Sequence, residues 1–203
     1  MVVYIIMAII AYLIGSINFS VILSKKMAGF DVREKGSGNA GSTNMLRSVG
    51  KKAAAITLIC DILKGVVSIG IAILLGNVIE NMNRELLLQI AGIAVVIGHT
   101  FPIFFGFKGG KGVATSLGVI LMSNWQIGLI CLVFALVLMV LTKMVFPVLT
   151  LFINTNYTVL SESKSGKVYL IYSILLAVIV LFNHRSNIKR ILNGTENKVG
   201  SKK

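Results

Sequence analysis

Long apolar stretches, with nearly every charge confined to the intervals between them, constrain this chain more than any other feature. Val2–Leu23 carries no charged residue and is long enough to cross a bilayer as a helix. Ala53–Leu75 and Leu86–Phe105 are two further spans, and Gln126–Leu141 and Val168–Asn183 are shorter candidates. Val113–Met122 and Val145–Ile153 are apolar but too short for a straight crossing. Pieces of that length are re-entrant or line a cavity within a bundle. The expected fold is an all-α polytopic membrane protein with five to about seven transmembrane helices, two of them short, joined by glycine-rich cytoplasmic loops and forming one domain over 1–203. Composition agrees: 56% of residues are hydrophobic and 13% charged, where soluble domains carry roughly 25% charge. Val2–Leu23 lacks a basic leading region, and spans follow it along the chain, so it is expected to be retained and not cleaved as a signal peptide.

Charge tests the seven-segment reading. With the amino terminus outside, the inner stretches are 25–52, 106–112, 142–144 and the tail from His184. They hold Lys25, Lys26, Arg33, Lys35, Arg47, Lys51, Lys52, Lys108, Lys111, Lys143, Arg185, Lys189, Arg190, Lys198, Lys202 and Lys203, against Arg84, Lys164 and Lys167 outside. This is the asymmetry of the positive-inside rule, and it puts the carboxyl terminus in the cytoplasm. The net charge of +13 is therefore a matter of topology, and no nucleic-acid partner is expected. Cys60 and Cys131 lie inside apolar runs, where cysteine is a small hydrophobe, so neither a metal site nor a disulfide framework is expected.

The loop Phe30 to Arg47 is the richest in chemistry. Gly36-Ser37-Gly38-Asn39-Ala40-Gly41 matches G-x-G-x-x-G, but a charged turn precedes it where a dinucleotide site needs a strand, and Asp61 lies within a span. A plain connector would not need three glycines beside Ser37, Asn39, Ser42, Thr43, Asn44 and Arg47. Glycines admit a close anion, and hydroxyls with an arginine direct donors at it, so phosphate binding is the sharper expectation. A second candidate follows Gly98-His99-Thr100-Phe101-Pro102, where Phe107-Lys108-Gly109-Gly110-Lys111-Gly112 sets glycines around two lysines beside a short apolar helix. It is not a P-loop, since glycine follows Lys111.

Asp61 and Lys64 share one helical face within a span, where each isolated charge would cost roughly 2.5–3.5 kcal/mol. They are expected to support the loops, with Lys64 a candidate for substrate contact. His99, at a span end, is expected to be structural. In His184-Arg185-Ser186-Asn187-Ile188-Lys189-Arg190 the cations fit a basic cluster ending a span, but that reading leaves His184, Asn187 and Glu196 without a role. His184 is of a type that titrates near neutrality and serves as acid or base.

Gly15-Ser16-Ile17, Gly36-Ser37-Gly38-Asn39-x-Gly41-x-Thr43-Asn44-x-x-Arg47, Asp61-x-x-Lys64-Gly65, Gly98-His99-x-Phe101-Pro102 through Phe107 to Thr115, and His184-Arg185-x-Asn187-Ile188 with Gly194-Thr195-Glu196 together resemble PlsY, the bacterial acyl-phosphate:glycerol-3-phosphate acyltransferase family. The resemblance covers the chain nearly end to end. It implies seven helices and a site open to the cytoplasm on the bacterial inner membrane. The implied reaction is acyl transfer from acyl phosphate to glycerol 3-phosphate, giving lysophosphatidic acid and phosphate without CoA, metal or other cofactor. A soluble enzyme that makes acyl phosphate is an implied functional partner. By position, the resemblance puts Ser37, Asn39, Arg47, Lys108, His184, Asn187 and Glu196 in the site. Two departures stand out. Asn18 occupies the place of a proline, and Lys143-Met144-Val145-Phe146-Pro147-Val148 lacks the family's serine, with Phe146 in its stead. Losing one oxyanion-type donor costs about 10²–10³ in turnover.

The expected mechanism brings two anions together so that proximity and charge neutralisation carry the rate. Ser37, Asn39, Arg47 and the amides of Gly36, Gly38 and Gly41, near Thr43 and Asn44, are assigned to one phosphate. Lys108, Gly109, Gly110 and Lys111 are assigned to the other. Asn187 orients substrate, His184 accepts the proton or positions glycerol 3-phosphate, and Glu196 holds His184 or Arg47. The alternatives are a small organic-phosphate transporter, which usually carries an internal repeat that this chain lacks, and a paralogue that binds substrate without efficient turnover.

Overall fold

The computed structural model describes residues 1–142 and 166–195. All regular structure among them is helical, and the chain divides into two compact units, Met1–Ser123 and Asn124–Lys203.

The first unit holds α1 (Val2–Ser16), α2 (Phe19–Ala28), α3 (Ser42–Ser48), α4 (Lys51–Val78), α5 (Arg84–Thr100) and α6 (Val113–Ser123), with 3₁₀ turns at Val32–Glu34 and Ile103–Phe105. Three of its apolar segments are long enough to cross a membrane: Val2–Ala28, Lys51–Val78 and Arg84–Phe105. At about 1.5 Å per residue, the 28 residues of α4 reach about 42 Å, well beyond a hydrocarbon core of about 30 Å. The first crossing is not the continuous helix expected over Val2–Leu23. Ile17 and Asn18 are extended, and the Asn18 side chain caps α2 by accepting from the Val21 amide at 3.3 Å. A lone asparagine at such a bend offers its own oxygen to the freed amides.

Small residues set the helix spacing. A β-carbon on Gly15 would run into the Val95 carbonyl and one on Gly98 into that of Tyr12, so α1 and α5 touch backbone to backbone. Gly65 and Gly118 do the same for α4 and α6, against the carbonyls of Thr115 and Ile62. Membrane helices associate through this kind of contact because lipid gives apolar side chains no reason to leave it. The outward residues agree, with Ile5, Ile9, Ile59, Leu63 and Leu74 all exposed. α1 and α5 run parallel: the Asn83 amide donates to the Tyr4 hydroxyl near their starts, and the Tyr12 hydroxyl donates to the Phe101 carbonyl at 2.9 Å beyond the end of α5. The loops that follow α2 and α5 therefore leave the same end of the helix pair. α6, at 11 residues, is about 16 Å long and matches the short apolar piece read from sequence.

The second unit contains α7 (Trp125–Thr142), α8 (Gly166–Asn183) and α9 (Arg185–Leu192). α7 and α8 have 18 residues each, about 27 Å. Lys143–Val148 with Phe146, the Val145–Ile153 segment, and Glu196 lie outside the described residues. The basic stretch after His184, expected as a tail, is helical through Leu192. Ile188 and Leu192 share one face, and Arg185 and Lys189 the neighbouring one. α9 ends on left-handed Gly194, with the Thr195 amide bonded to the Arg190 carbonyl at 2.8 Å and the Gly194 amide to that of Ile191 at 3.0 Å.

Candidate active site

The loop between α2 and α3 is built from the inside. The Val32 amide donates to Ser24 Oγ at 3.0 Å, tying the loop's start to α2. Val32, Ala40 and Met45 join Val21, Ala53 and Ala54 in a buried apolar cluster, which gives a polar-looking loop a core. Asn44, on α3, then fastens the glycine turn. Its Oδ1 accepts from the Ser37 amide at 2.9 Å, and its Nδ2 donates to the Val32 and Lys35 carbonyls at 2.9 and 3.0 Å. Gly36 and Gly38 are left-handed, and a β-carbon on Gly36 would strike Asn44 Oδ1. Asn44 is thus engaged within the loop itself. It is buried, and both amide protons serve the loop's own backbone.

Ser37 is exposed at the tip of the turn, Asn39 and Thr43 are half-buried, and Arg47 is exposed on α3. The Gly38 amide is committed to the Lys35 carbonyl at 3.0 Å and the Gly41 amide to that of Asn39 at 3.1 Å, so the outward groups are the side chains.

The loop after α5 is fastened just as closely. The Gly109 and Gly110 amides donate to the Thr100 and His99 carbonyls, each at 3.1 Å. A β-carbon on Gly109 would strike the His99 carbonyl, and one on Gly110 would strike the His99 ring and approach the Ala40 carbonyl to 2.7 Å. These two glycines are needed for packing, and their N–H groups bond the backbone that ends α5. Lys108 is exposed and Lys111 half-buried. The second loop thus abuts the first at Ala40.

Sequence reasoning missed a direct link between the two loops. Arg33 Nε and one terminal nitrogen bind Asp31 at 3.0 and 2.7 Å, and its other terminal nitrogen donates to the Phe105 and Lys108 carbonyls at 2.6 and 3.2 Å. These hydrogen bonds from Arg33 hold the Asp31 carboxyl below its usual range despite desolvation, and the bond to Asp31 raises the Arg33 pKa in turn. The only sequence signal was an Asp-x-Arg pair, which looks the same as its solvated neighbours Glu34 and Lys35.

Beneath the loops lies a buried ionic set. Lys64 Nζ is 3.0 Å from Asp61 and donates to the Gly15 and Ile17 carbonyls at 3.1 and 3.2 Å. Three partners match its three protons, so Lys64 is structural and its candidacy for substrate contact is corrected. His99 Nδ1 lies 3.5 Å from the same Asp61 oxygen, and His99 is buried as the sequence reading expected of a structural histidine.

In the second unit, His184 heads α9. The Val180 carbonyl lies 2.8 Å from its Nδ1, which favours a proton there and leaves the lone pair of the neutral ring on Nε2. Asn187 follows within the first turn of α9 and is half-buried.

These features define a class: a helical membrane protein whose first unit joins two basic, glycine-rich loops through Arg33 and the Gly110–Ala40 contact. Comparison with known proteins narrows it. The family model for glycerol-3-phosphate acyltransferase matches residues 5–194. A glycerol-3-phosphate acyltransferase of Clostridioides difficile (strain 630) is 45% identical over 202 residues, covering 98% of this chain and 97% of that protein. One from Thermoanaerobacter pseudethanolicus is 46% identical over 197 residues, covering 96% and 95%. The crystal structure of PlsY, an integral membrane glycerol 3-phosphate acyltransferase, in its glycerol 3-phosphate form, superposes with a TM-score of 0.83 at 32% identity over 97% of this chain and 96% of that one. Its lysophosphatidic acid form gives 0.80 at 30% identity over 96% and 94%. The chain belongs to the glycerol-3-phosphate acyltransferase family.

Proposed function

We propose that this chain transfers a fatty acyl group to the hydroxyl at position 1 of glycerol 3-phosphate, giving lysophosphatidic acid, with an acyl phosphate as donor and inorganic phosphate as co-product. Family membership supports the acceptor and product, since the related PlsY was crystallised in glycerol 3-phosphate and lysophosphatidic acid forms. The observation that carries the site assignment is the joining of the two basic loops through Arg33 and through the Gly110–Ala40 contact. Two negatively charged reactants repel each other in water, and cations fixed in advance at one surface remove that penalty without reorganising during reaction.

In this reading Ser37, Asn39 and Arg47 hold one phosphate, while Lys108 and Lys111 hold the other. The acceptor oxygen attacks the acyl carbonyl, the bond from that carbon to the phosphate oxygen breaks, and the hydroxyl proton leaves to a base or to the departing phosphate. An acyl phosphate brings its own good leaving group, so no enzyme nucleophile is required. For the second unit the assignment rests on the His184-Arg185-x-Asn187 motif and its Glu196 sequel: His184 Nε2 as proton acceptor, Asn187 as orienting group, and Glu196 as support. We place the site at the cytoplasmic face of the bacterial inner membrane, with the amino terminus outside, because the basic residues concentrate in the stretches which that topology puts inside.

The test is phosphate release from palmitoyl phosphate by the purified protein. Release should require glycerol 3-phosphate and yield lysophosphatidic acid. Acyl-CoA and acyl carrier protein donors, assayed in parallel, should be inert. Turnover with either of those and none with acyl phosphate would overturn the donor assignment. Full activity in Arg47→Ala would overturn the role of that residue.

A further inference from the structure

Arg33 fills a position that neither the glycine motif nor the lysine loop accounts for. It lies upstream of the first loop's turn, yet it reaches carbonyls on both sides of Gly106-Phe107, the turn that presents Lys108. That turn is tight, with Gly106 and Phe107 both left-handed at φ 65° and 58°. Its own closing bond is weak, since the Lys108 amide stands 3.5 Å from the Phe105 carbonyl. One terminal nitrogen of Arg33 bridges those two residues' carbonyls from outside the turn, at 2.6 and 3.2 Å. The other face of the guanidinium is docked on Asp31, which is itself buried, and the adjacent Val32 amide is tied to Ser24 of α2. The planar fork of arginine can satisfy a carboxylate and two carbonyls together, whereas the single ammonium of lysine lacks that fixed geometry.

We propose that Asp31 and Arg33 form a clamp that positions Lys108 for the reaction; they are positioning residues that do not themselves touch substrate. The inference rests on the role assigned to Lys108 above. The clamp fixes the Lys108 backbone against the first loop at the Gly106-Phe107 turn, apart from the contact that Gly110 makes with Ala40. The first loop has its own fastening through Asn44, and Gly109 and Gly110 have theirs through Thr100 and His99. Loss of Arg33 therefore acts on Lys108 while leaving most of both loops in place.

A double-mutant cycle between Arg33→Ala and Lys108→Ala tests this, with purified protein, palmitoyl phosphate and glycerol 3-phosphate. Thermal melting would run alongside. Misplacement by about 1 Å costs about 10² in rate, so Arg33→Ala should lower kcat/KM by about that factor. In the Lys108→Ala background it should cost less than about threefold, because coupled groups are not additive. Added guanidinium should restore part of the activity of Arg33→Ala and none of that of the double variant. Arg33→Lys should be impaired while melting near the wild type, which covers the case of an Arg33→Ala that does not fold. Full additivity in the cycle, or a folded Arg33→Ala with undiminished kcat/KM, would overturn the clamp and leave the role of Lys108 intact. A fully active Lys108→Ala would instead overturn the role of Lys108, and the clamp with it.

Discussion

Replacing Gly110 with alanine tests the joint between the two loops. The added β-carbon would lie 2.7 Å from the Ala40 carbonyl oxygen and 2.8 Å from His99 Cε1, with His99 Nε2 nearer still. Ordinary contact begins at 3.4 Å, so the Ala40 oxygen and His99 Cε1 are about 0.6–0.7 Å too close and His99 Nε2 is closer again. Neither gives way easily. Ala40 is fully buried in the first loop's core, and His99 is buried beside Asp61. The second loop must therefore back away from the first. Overpacking of this kind costs about 1–3 kcal/mol, and a displacement approaching 1 Å between reacting groups costs about 10² in rate. We expect Gly110→Ala to fold with a lowered melting temperature and to lose about 10²-fold in kcat/KM, read by lysophosphatidic acid formation from palmitoyl phosphate. Gly70→Ala is the control, since its β-carbon meets nothing closer than Met122 Cε at 4.0 Å. A Gly110→Ala protein within about threefold of wild-type kcat/KM would refute the idea that this contact sets the loop spacing.

Other perturbations report on the supports. Lys64→Met strips Asp61 of its cation and leaves the Gly15 and Ile17 carbonyls without their donor. Breaking a buried pair costs about 3–5 kcal/mol, so thermal melting should show a large loss, partly recovered in Asp61→Asn/Lys64→Met. Asn44→Asp turns two donated bonds into repulsion against the Val32 and Lys35 carbonyls, at about 1–3 kcal/mol for each group left unsatisfied. It should lose both stability and turnover, and a wild-type melt would count against the fastening role. Asp31 has a folded pKa below its ordinary value of 3.8. Its contribution is thus complete above that value and is lost as the pH falls below it through the depressed folded value. Asp31→Asn should flatten the acid limb of a stability–pH profile in that window, and an unchanged limb would argue against the ion pair.

What the sequence could reveal followed from physics that acts locally. Bilayer-length apolar runs gave α4 and α5 closely, because every backbone group in lipid must be bonded within the helix. The bend at Asn18 was hidden because one asparagine in an apolar run carries no period of its own. α3 was hidden for the opposite reason. Ser42-Thr43-Asn44 are weak helix formers, and the helix is held by Met45 entering a core assembled from distant residues. At Gly109 and Gly110 the sequence indicated a close backbone approach but not the protein neighbour the backbone meets. The neighbour is the His99 and Thr100 backbone, a tertiary contact that composition does not encode. α9 was legible in its i, i+4 pairs, but its charge cluster invited the simpler reading of a span's end.

The charges inside the first unit make sense as the consequence of the bend in the first crossing. Interrupting a helix at Ile17–Asn18 frees carbonyls at membrane depth, where no water can satisfy them. Lys64 supplies the donors, at 3.1 and 3.2 Å from Gly15 and Ile17, and a buried ammonium then needs a counter-charge, which Asp61 provides at 3.0 Å. The same carboxylate faces His99, whose carbonyl holds the Gly110 amide at 3.1 Å, and Gly110 in turn meets Ala40 of the first loop. Asn18 caps the helix beyond the bend, with its Oδ1 accepting from the Val21 amide and the Ser20 hydroxyl. A pair of charges that would be costly in an isolated span thus links the bend of the first helix to the placement of both glycine-rich loops.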